Sequence, residues 1–237
     1  MINPDIFSLA GLFSLITLTV MEIVLGIDNI VFISVVVGRL DAERAKRARQ
    51  IGLLLALAFR IMLLMAISWL IGLKAPLFEL FDKSFSWRDL ILAAGGLFLL
   101  YKATHEIHSE IEGPEVDETG AVSAAFSAII AQIVVIDIIF SVDSIITAIG
   151  MAEHVEIMVA AVVISMAVMY VASGPIAEFI KRHPTTKMLA LSFLVLIGVA
   201  LIADGLGFHI PRGYIYFAMA FSAVVEIINI NIRSKRT

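Results

Sequence analysis

Residues 22 to 32 read Glu22-Ile23-Val24-Leu25-Gly26-Ile27-Asp28-Asn29-Ile30-Val31-Phe32, and residues 137 to 144 read Asp137-Ile138-Ile139-Phe140-Ser141-Val142-Asp143-Ser144. Each stretch sets two carboxylates six positions apart in an apolar run, with a small polar residue beside the second. Glu22 aligns with Asp137, Gly26 with Ser141, Asp28 with Asp143 and Asn29 with Ser144. The match reads as an internal duplication, and the surroundings of the two copies show what has been duplicated.

The 237 residues are 60% hydrophobic and 16% charged, with a mean hydropathy of +1.00. That is too apolar for one soluble core, so lipid is the expected solvent for most of the surface. The charges gather between long apolar runs, as loops between membrane spans do. There is no cysteine, which excludes disulfides, thiolate metal sites and sulfur redox chemistry. The net charge of −4 says nothing of partners, and no nucleic-acid partner is expected.

Seven apolar segments can be drawn, at about 7–37, 51–72, 89–104, 121–150, 155–180, 188–208 and 213–232. Roughly 20 helical residues cross the hydrocarbon core, so the first and fourth segments are expected to tilt, break or project. The first is expected to be a retained span, because its apolar run is far longer than that of a cleavable leader and no Lys or Arg precedes it. Glycines punctuate the third segment at Gly95 and Gly96 and the sixth at Gly198. Gly96 precedes Lys102 by six residues, as Gly198 precedes Asp204.

Basic residues fix the expected orientation. Arg39, Arg44, Lys46, Arg47 and Arg49, then Lys181, Arg182 and Lys187, then Arg233, Lys235 and Arg236 all fall on one side of a seven-span chain. The other side receives Lys74, Lys83, Arg88 and Arg212. The positive-inside rule then puts the N-terminus outside and the C-terminus in the cytoplasm. The acidic stretch from Glu106 to Glu118, with Gly113 and Pro114, reads as a flexible cytoplasmic connector.

Three segments separate the two acidic motifs, so the second copy crosses in the opposite direction, as in the inverted repeats of many transporters. The expected fold is therefore all-α, a polytopic membrane protein of seven transmembrane helices. The chain forms one transmembrane domain: repeat one at about 7–104, the connector at 105–120, repeat two at 121–208 and a seventh helix at 213–232.

Glu22 and Asp137 fall near the midpoints of their segments, where a charged carboxylate costs roughly 2.5 to 3.5 kcal/mol on the insertion scale. They need partners. Arg60 is the only basic residue deep inside an expected span and is the candidate charge partner, with Lys102 and Asp204 as further charge or gating candidates. One arginine cannot balance Glu22, Asp28, Asp137 and Asp143 together, so protons, cations or water must supply the rest. Six residues rotate a helix by about 240° and advance it about 9 Å. An unbroken helix would thus not aim both carboxylates at one ion, and a helix break near Gly26 or Ser141 is expected instead.

The donors on offer are carboxylate, amide, hydroxyl and carbonyl oxygens, while the five histidines, His105, His108, His154, His183 and His209, lie in loops or at span ends. Such a set suits hard divalent cations such as Mg²⁺, Ca²⁺ and Mn²⁺ over zinc or copper. Met21 and Met151 flank the motifs and could add a soft thioether, although packing is the commoner use of methionine.

At these motifs the chain resembles the TerC family of bacterial membrane proteins, marked by an acidic residue before Leu-Gly-x-Asp-Asn in one span and by Phe-Ser-x-Asp-Ser in another. The resemblance covers nearly the whole chain and is nearest to short inner-membrane members without added soluble domains. It implies a fold similar to the lysine-exporter superfamily, a bacterial inner-membrane location, and Mn²⁺ as the cation moved, since members with an assigned activity are manganese exporters. Carried over by position, it implies a metal site of Glu22, Asp28, Asn29, Asp137, Asp143 and Ser144.

The function expected from these readings is export of a divalent cation, Mn²⁺ first, by alternating access around a midplane acidic site, with protons as natural counter-ions. The alternatives are a membrane-embedded partner or insertion factor for other proteins, and an exporter of an amino acid or other small organic solute. No enzyme is expected, because no nucleophile, base and orienting group stand in recognisable spacing. The cation is cargo, and no permanently bound cofactor is expected.

Overall fold

A computed structural model describes residues 9–38, 40–80, 83–112, 122–148 and 155–234. Arg39, Gly113 to Glu118, Met151, His154, Lys235 and Arg236, all used in the sequence reading, lie outside the described residues.

The chain runs through α1 (Leu9–Val37), α2 (Ala42–Met65), a short α3 (Ile67–Gly72), a hairpin of β1 (Pro76–Leu80) and β2 (Lys83–Ser86), then α4 (Trp87–Glu112), α5 (Val122–Ala148), α6 (Val155–Arg182), α7 (Pro184–Gly205) and α8 (Arg212–Ser234). Seven of these helices are long and apolar enough to cross a membrane. Many large apolar side chains point outward, among them Phe13, Leu54, Met62, Val171, Phe217 and Phe221. In water such a surface would drive aggregation, whereas hydrocarbon tails are its natural solvent.

Local sequence accounts for the helix boundaries. Asp41 caps α2 by accepting the Arg44 backbone N–H at 3.0 Å, the usual service of a short acidic side chain to an unsatisfied first turn. Ser86 and Asp89 form a reciprocal cap at the start of α4: Asp89 Oδ2 accepts from the Ser86 amide at 2.9 Å and from its hydroxyl at 2.6 Å, and Ser86 Oγ accepts the Asp89 amide at 3.3 Å. Pro184 opens α7 in its first turn, where a missing N–H costs nothing.

Helix contacts follow the duplication. The broadest is α4 against α7, followed by α1 against α6 and α2 against α5. Exchanging the triad α1, α2, α4 for α5, α6, α7 turns the α1–α6 contact into α5–α2 and the α1–α7 contact into α5–α4. The contacts α1–α5, α2–α6 and α4–α7 map onto themselves, and all of these pairs are present. That is the pattern a pseudo-twofold axis between two inverted halves produces. Helix α8 lies outside this set and packs chiefly on α7.

Two expectations need correction. Helices α1 and α5 are continuous through their motifs, so neither Gly26 nor Ser141 marks a break. Gly26 is instead a packing site: a Cβ there would collide with the Met169 sulfur of α6. Ser141 keeps its place in the ladder and spends its hydroxyl on Asp137, one turn earlier. The connector expected from residue 105 is also partly helical, because α4 runs on to Glu112.

Candidate functional site

Among the described residues two polar clusters stand out, one buried in the centre of the bundle and one part-buried at its end. The first joins α1, α2 and α5. Arg60 Nη1 meets Glu22 Oε2 at 2.6 Å, Nη2 meets Asp137 Oδ1 at 2.8 Å, and Nε donates to Ser141 Oγ at 2.9 Å. Glu22 and Arg60 are each 2% exposed and Asp137 4%. A charge so far from water is tolerable only when paired and hydrogen-bonded, and three directed bonds to one guanidinium meet that requirement.

The two motifs also reach across to each other. Asn29 Nδ2 donates to Asp137 Oδ1 at 2.8 Å, whereas the counterpart of Asn29, Ser144, donates to the Ser141 carbonyl of its own helix at 3.4 Å. The Asp137 carboxylate is thus held by the last polar residue of the opposite motif. Seven residues rotate a helix by about 700°, within about 20° of two full turns, so Glu22 and Asn29 share one face of α1 as Asp137 and Ser144 share one face of α5. The side-chain carbonyl oxygen of Asn29, on the amide that bonds Asp137, is buried and has no hydrogen-bond partner.

The second cluster gathers the ends of α4, α5, α7 and α8. Asp143 is gripped by Arg88 through Nη2 and by Arg212 at 2.6 Å. Arg212 also lies 3.4 Å from Asp204, which faces His209 at 3.2 Å. Arg88 is aimed by the Ser86–Asp89 cap, since it sits between the two capping residues. The hairpin closes over the same end: Lys83 Nζ donates to the Leu206 carbonyl at 3.3 Å and stands 3.6 Å above the Phe208 ring.

Asp28 belongs to neither ion-pair set. It is buried, its Oδ1 has no hydrogen-bond partner, and it lines a cavity of about 10 Å³ with Ile197, Ala200, Arg212, Ile215 and Tyr216. That is room for one water. Lys102 is half-buried on α4 and takes no part in either cluster.

Of the six residues expected to line one site, the structure therefore brings together Glu22, Asn29, Asp137 and Ser144, and sends Asp28 and Asp143 elsewhere. The reason is the 240° rotation across six residues, which an unbroken helix preserves. Among the described residues no three His, Asp or Glu side chains converge in an arrangement able to hold a metal ion. The guanidinium of Arg60 lies between the two central acids instead.

Sequence reasoning missed Arg88, Arg212 and Tyr216. A signal was present: Arg88 and Arg212 fall on the side where the positive-inside rule predicts few basic residues, so each called for a local reason.

The family described as "Integral membrane protein TerC family" matches residues 7–237. The chain is 51% identical over 221 residues to a UPF0053 protein of Haemophilus influenzae, covering 93% of each sequence. It is 52% identical over 220 residues to the UPF0053 inner membrane protein YgdQ of Escherichia coli, covering 93% of this chain and 92% of that one. With the UPF0053 inner membrane protein YoaE of Escherichia coli it shares 48% identity over 230 residues, 97% of this chain but 43% of the relative. No solved structure is significantly similar to it. A match over residues 7–237, on a chain whose apolar helices bury paired acidic motifs, makes this protein a member of the TerC family of integral membrane proteins.

Proposed function

We propose that this protein is a transporter that exports a divalent cation, Mn²⁺ first, through a bacterial inner membrane. One observation carries the reading: Glu22 and Asn29 from α1 meet Asp137 and Ser141 from α5 in the buried centre of the bundle, around a single fixed positive charge. The two helices come from opposed halves, so rocking one half against the other would open the centre to alternate sides. The donor atoms are all oxygen, and the free side-chain carbonyl of Asn29 belongs to the amide that bonds the Asp137 carboxylate. Hard divalent cations take such sets. The choice of Mn²⁺ among them comes from the family resemblance, and the location from relatives named as inner membrane proteins. In this reading the Arg44 to Arg49 end is cytoplasmic, and the Asp143 lattice closes the outer mouth.

A second reading has support from Arg60 itself. A site that holds a guanidinium through two carboxylates and a hydroxyl also fits a cationic organic solute such as a basic amino acid.

Flux into proteoliposomes separates the two. The cation reading expects uptake of Mn²⁺ that is lost in Asp137→Asn, with no uptake of arginine or lysine. Uptake of the amino acids without Mn²⁺ reverses the assignment, and movement of neither removes both.

A further inference from the structure

We propose that Arg60 is a tethered counter-cation, filling the cation site whenever no ion is bound and thereby letting the empty transporter reorient without a proton. The inference rests on the transport reading above and specifies what that reading leaves open, namely what balances the site after the cargo has left.

The geometry makes Arg60 and a bound ion mutually exclusive. Its Nη1, Nη2 and Nε are bonded to Glu22 Oε2, Asp137 Oδ1 and Ser141 Oγ at 2.6, 2.8 and 2.9 Å, so its positive charge sits between the two carboxylates and would repel a metal ion shared by them. With the guanidinium in place, two negative charges face one positive. With it withdrawn and no ion present, two carboxylates would stand uncovered at the depth of lipid hydrocarbon, which is the arrangement least able to exist there. Unless protons neutralise the acids, the site must hold either the ion or Arg60.

Arginine suits this role better than a proton. It stays charged at any physiological pH, and it cannot be lost to either side because it is bonded to α2. Its helix differs from those of the acids, which sit on α1 and α5. Beside Glu22 lies a cavity of about 10 Å³, bounded by Leu64 one turn beyond Arg60 and by Leu18, Ile145, Met158, Ala161 and Val162. It admits one water and is too small for a guanidinium. Arg60 therefore cannot leave the acids unless α2 shifts against α1 and α5. Arrival of the ion and rearrangement of the helices become one event.

The role expected of protons thus passes to Arg60. A transporter with this device releases its ion, returns with Arg60 in the site and carries no stoichiometric proton backward, so it exports only where the cation's own electrochemical gradient points outward.

The test uses the full chain in proteoliposomes, with net Mn²⁺ flux and tracer Mn²⁺ exchange measured separately and a pH dye inside. With the membrane potential clamped by potassium and valinomycin, wild type is expected to carry net flux without matching proton counterflow, and to be indifferent to a protonophore. Proton counterflow in fixed ratio to Mn²⁺ overturns the proposal, whatever any variant does. Arg60→Gln is expected to lose net flux by about tenfold or more while exchange stays within about threefold, because only the empty return needs Arg60. Arg60→Lys keeps a tethered charge and should restore net flux. Equal net flux in wild type and Arg60→Gln also overturns the proposal. If Arg60→Gln does not fold, the proton measurement on wild type still decides. Absence of any Mn²⁺ movement by wild type removes the transport reading instead, and this inference with it.

Discussion

Asn29 on α1 donates its amide N–H to Asp137 on α5 at 2.8 Å, and the bond crosses from one half of the duplicated bundle to the other. Asp137 is thereby tied to the opposite motif as well as to Arg60 and to Ser141 in its own helix. A hydrogen bond to a buried charge is worth about 1.5 to 3 kcal/mol. Asn29→Leu should therefore lower the stability of the purified protein by about that amount, and remove the Asn29 carbonyl proposed as a ligand. Unfolding in a mild detergent gives the first quantity and Mn²⁺ titration the second. A variant that unfolds like wild type would show the cross-repeat bond to be incidental.

Removing one member of the Arg60 cluster and removing all of it should differ. Arg60→Ala leaves Glu22 and Asp137 buried without their countercharge, a change that costs about 3 to 5 kcal/mol in comparable settings. Replacing all three, as Glu22→Leu, Arg60→Met and Asp137→Leu together, removes the uncovered charge and should recover most of that loss while abolishing both net flux and exchange. Thermal unfolding of both variants with parallel flux assays makes the comparison. If the triple variant is as unstable as Arg60→Ala, the cluster braces the fold by shape and not by charge.

The parts of this architecture that lipid dictates were the parts legible in the sequence. Runs of apolar residues mark what must lie in hydrocarbon, so the seven spans and the pairing of acidic motifs could be read directly. The end of α4 could not, because hydropathy reports where the membrane stops and Lys102, His105, Glu106 and His108 carry the helix beyond that point. Arg60 was identifiable as a partner for Glu22 because it is the lone deep basic residue. The grouping of the acids was not, since the rotation of about 240° across six residues was expected to be undone by a helix break, and α1 and α5 are unbroken. The seven-residue spacings Glu22 to Asn29 and Asp137 to Ser144 held the information, and the six-residue spacings drew attention away from it. Gly26 and Ser141 likewise looked like helix breakers, when their small size and hydroxyl serve packing and hydrogen bonding.

Asp143 holds Arg88 and Arg212 on its two oxygens, and so links α4 and α8 to α5. Asp143→Asn removes the charge that both guanidiniums need and leaves them repelling each other. If this lattice is the outer gate, the change should expose the cavity behind it. The absence of native cysteine allows a clean reporter. Ala200 is buried and lines the Asp28 cavity, so Ala200→Cys should react slowly with a membrane-impermeant maleimide. In the Asp143→Asn background its rate should rise by about tenfold, equivalent to about 1.4 kcal/mol of easier opening. Unchanged labelling would leave the lattice as an ornament of the hairpin end.

The α4–α7 crossing joins the two halves at backbone distance, and its glycines should be the least replaceable residues outside the charged clusters. A Cβ at Gly96 would lie 2.5 Å from the Gly198 carbonyl oxygen, and one at Gly198 would lie 3.0 Å from the Gly96 carbonyl oxygen. The obstacles are main-chain atoms, which cannot turn aside as a side chain can, so the helices themselves must separate. Overpacking of this kind costs about 1 to 3 kcal/mol, and Gly96→Ala should fall at the upper end. Gly213 in α8 supplies the contrast: nothing lies within 4 Å of a Cβ there, and in a helix alanine is favoured over glycine by about 0.5 to 1 kcal/mol. Gly213→Ala should therefore stabilise slightly where Gly96→Ala destabilises strongly. Unfolding midpoints of the two variants in one detergent decide the matter. Equal shifts would mean that the halves do not meet as closely as the Gly96–Gly198 contact requires.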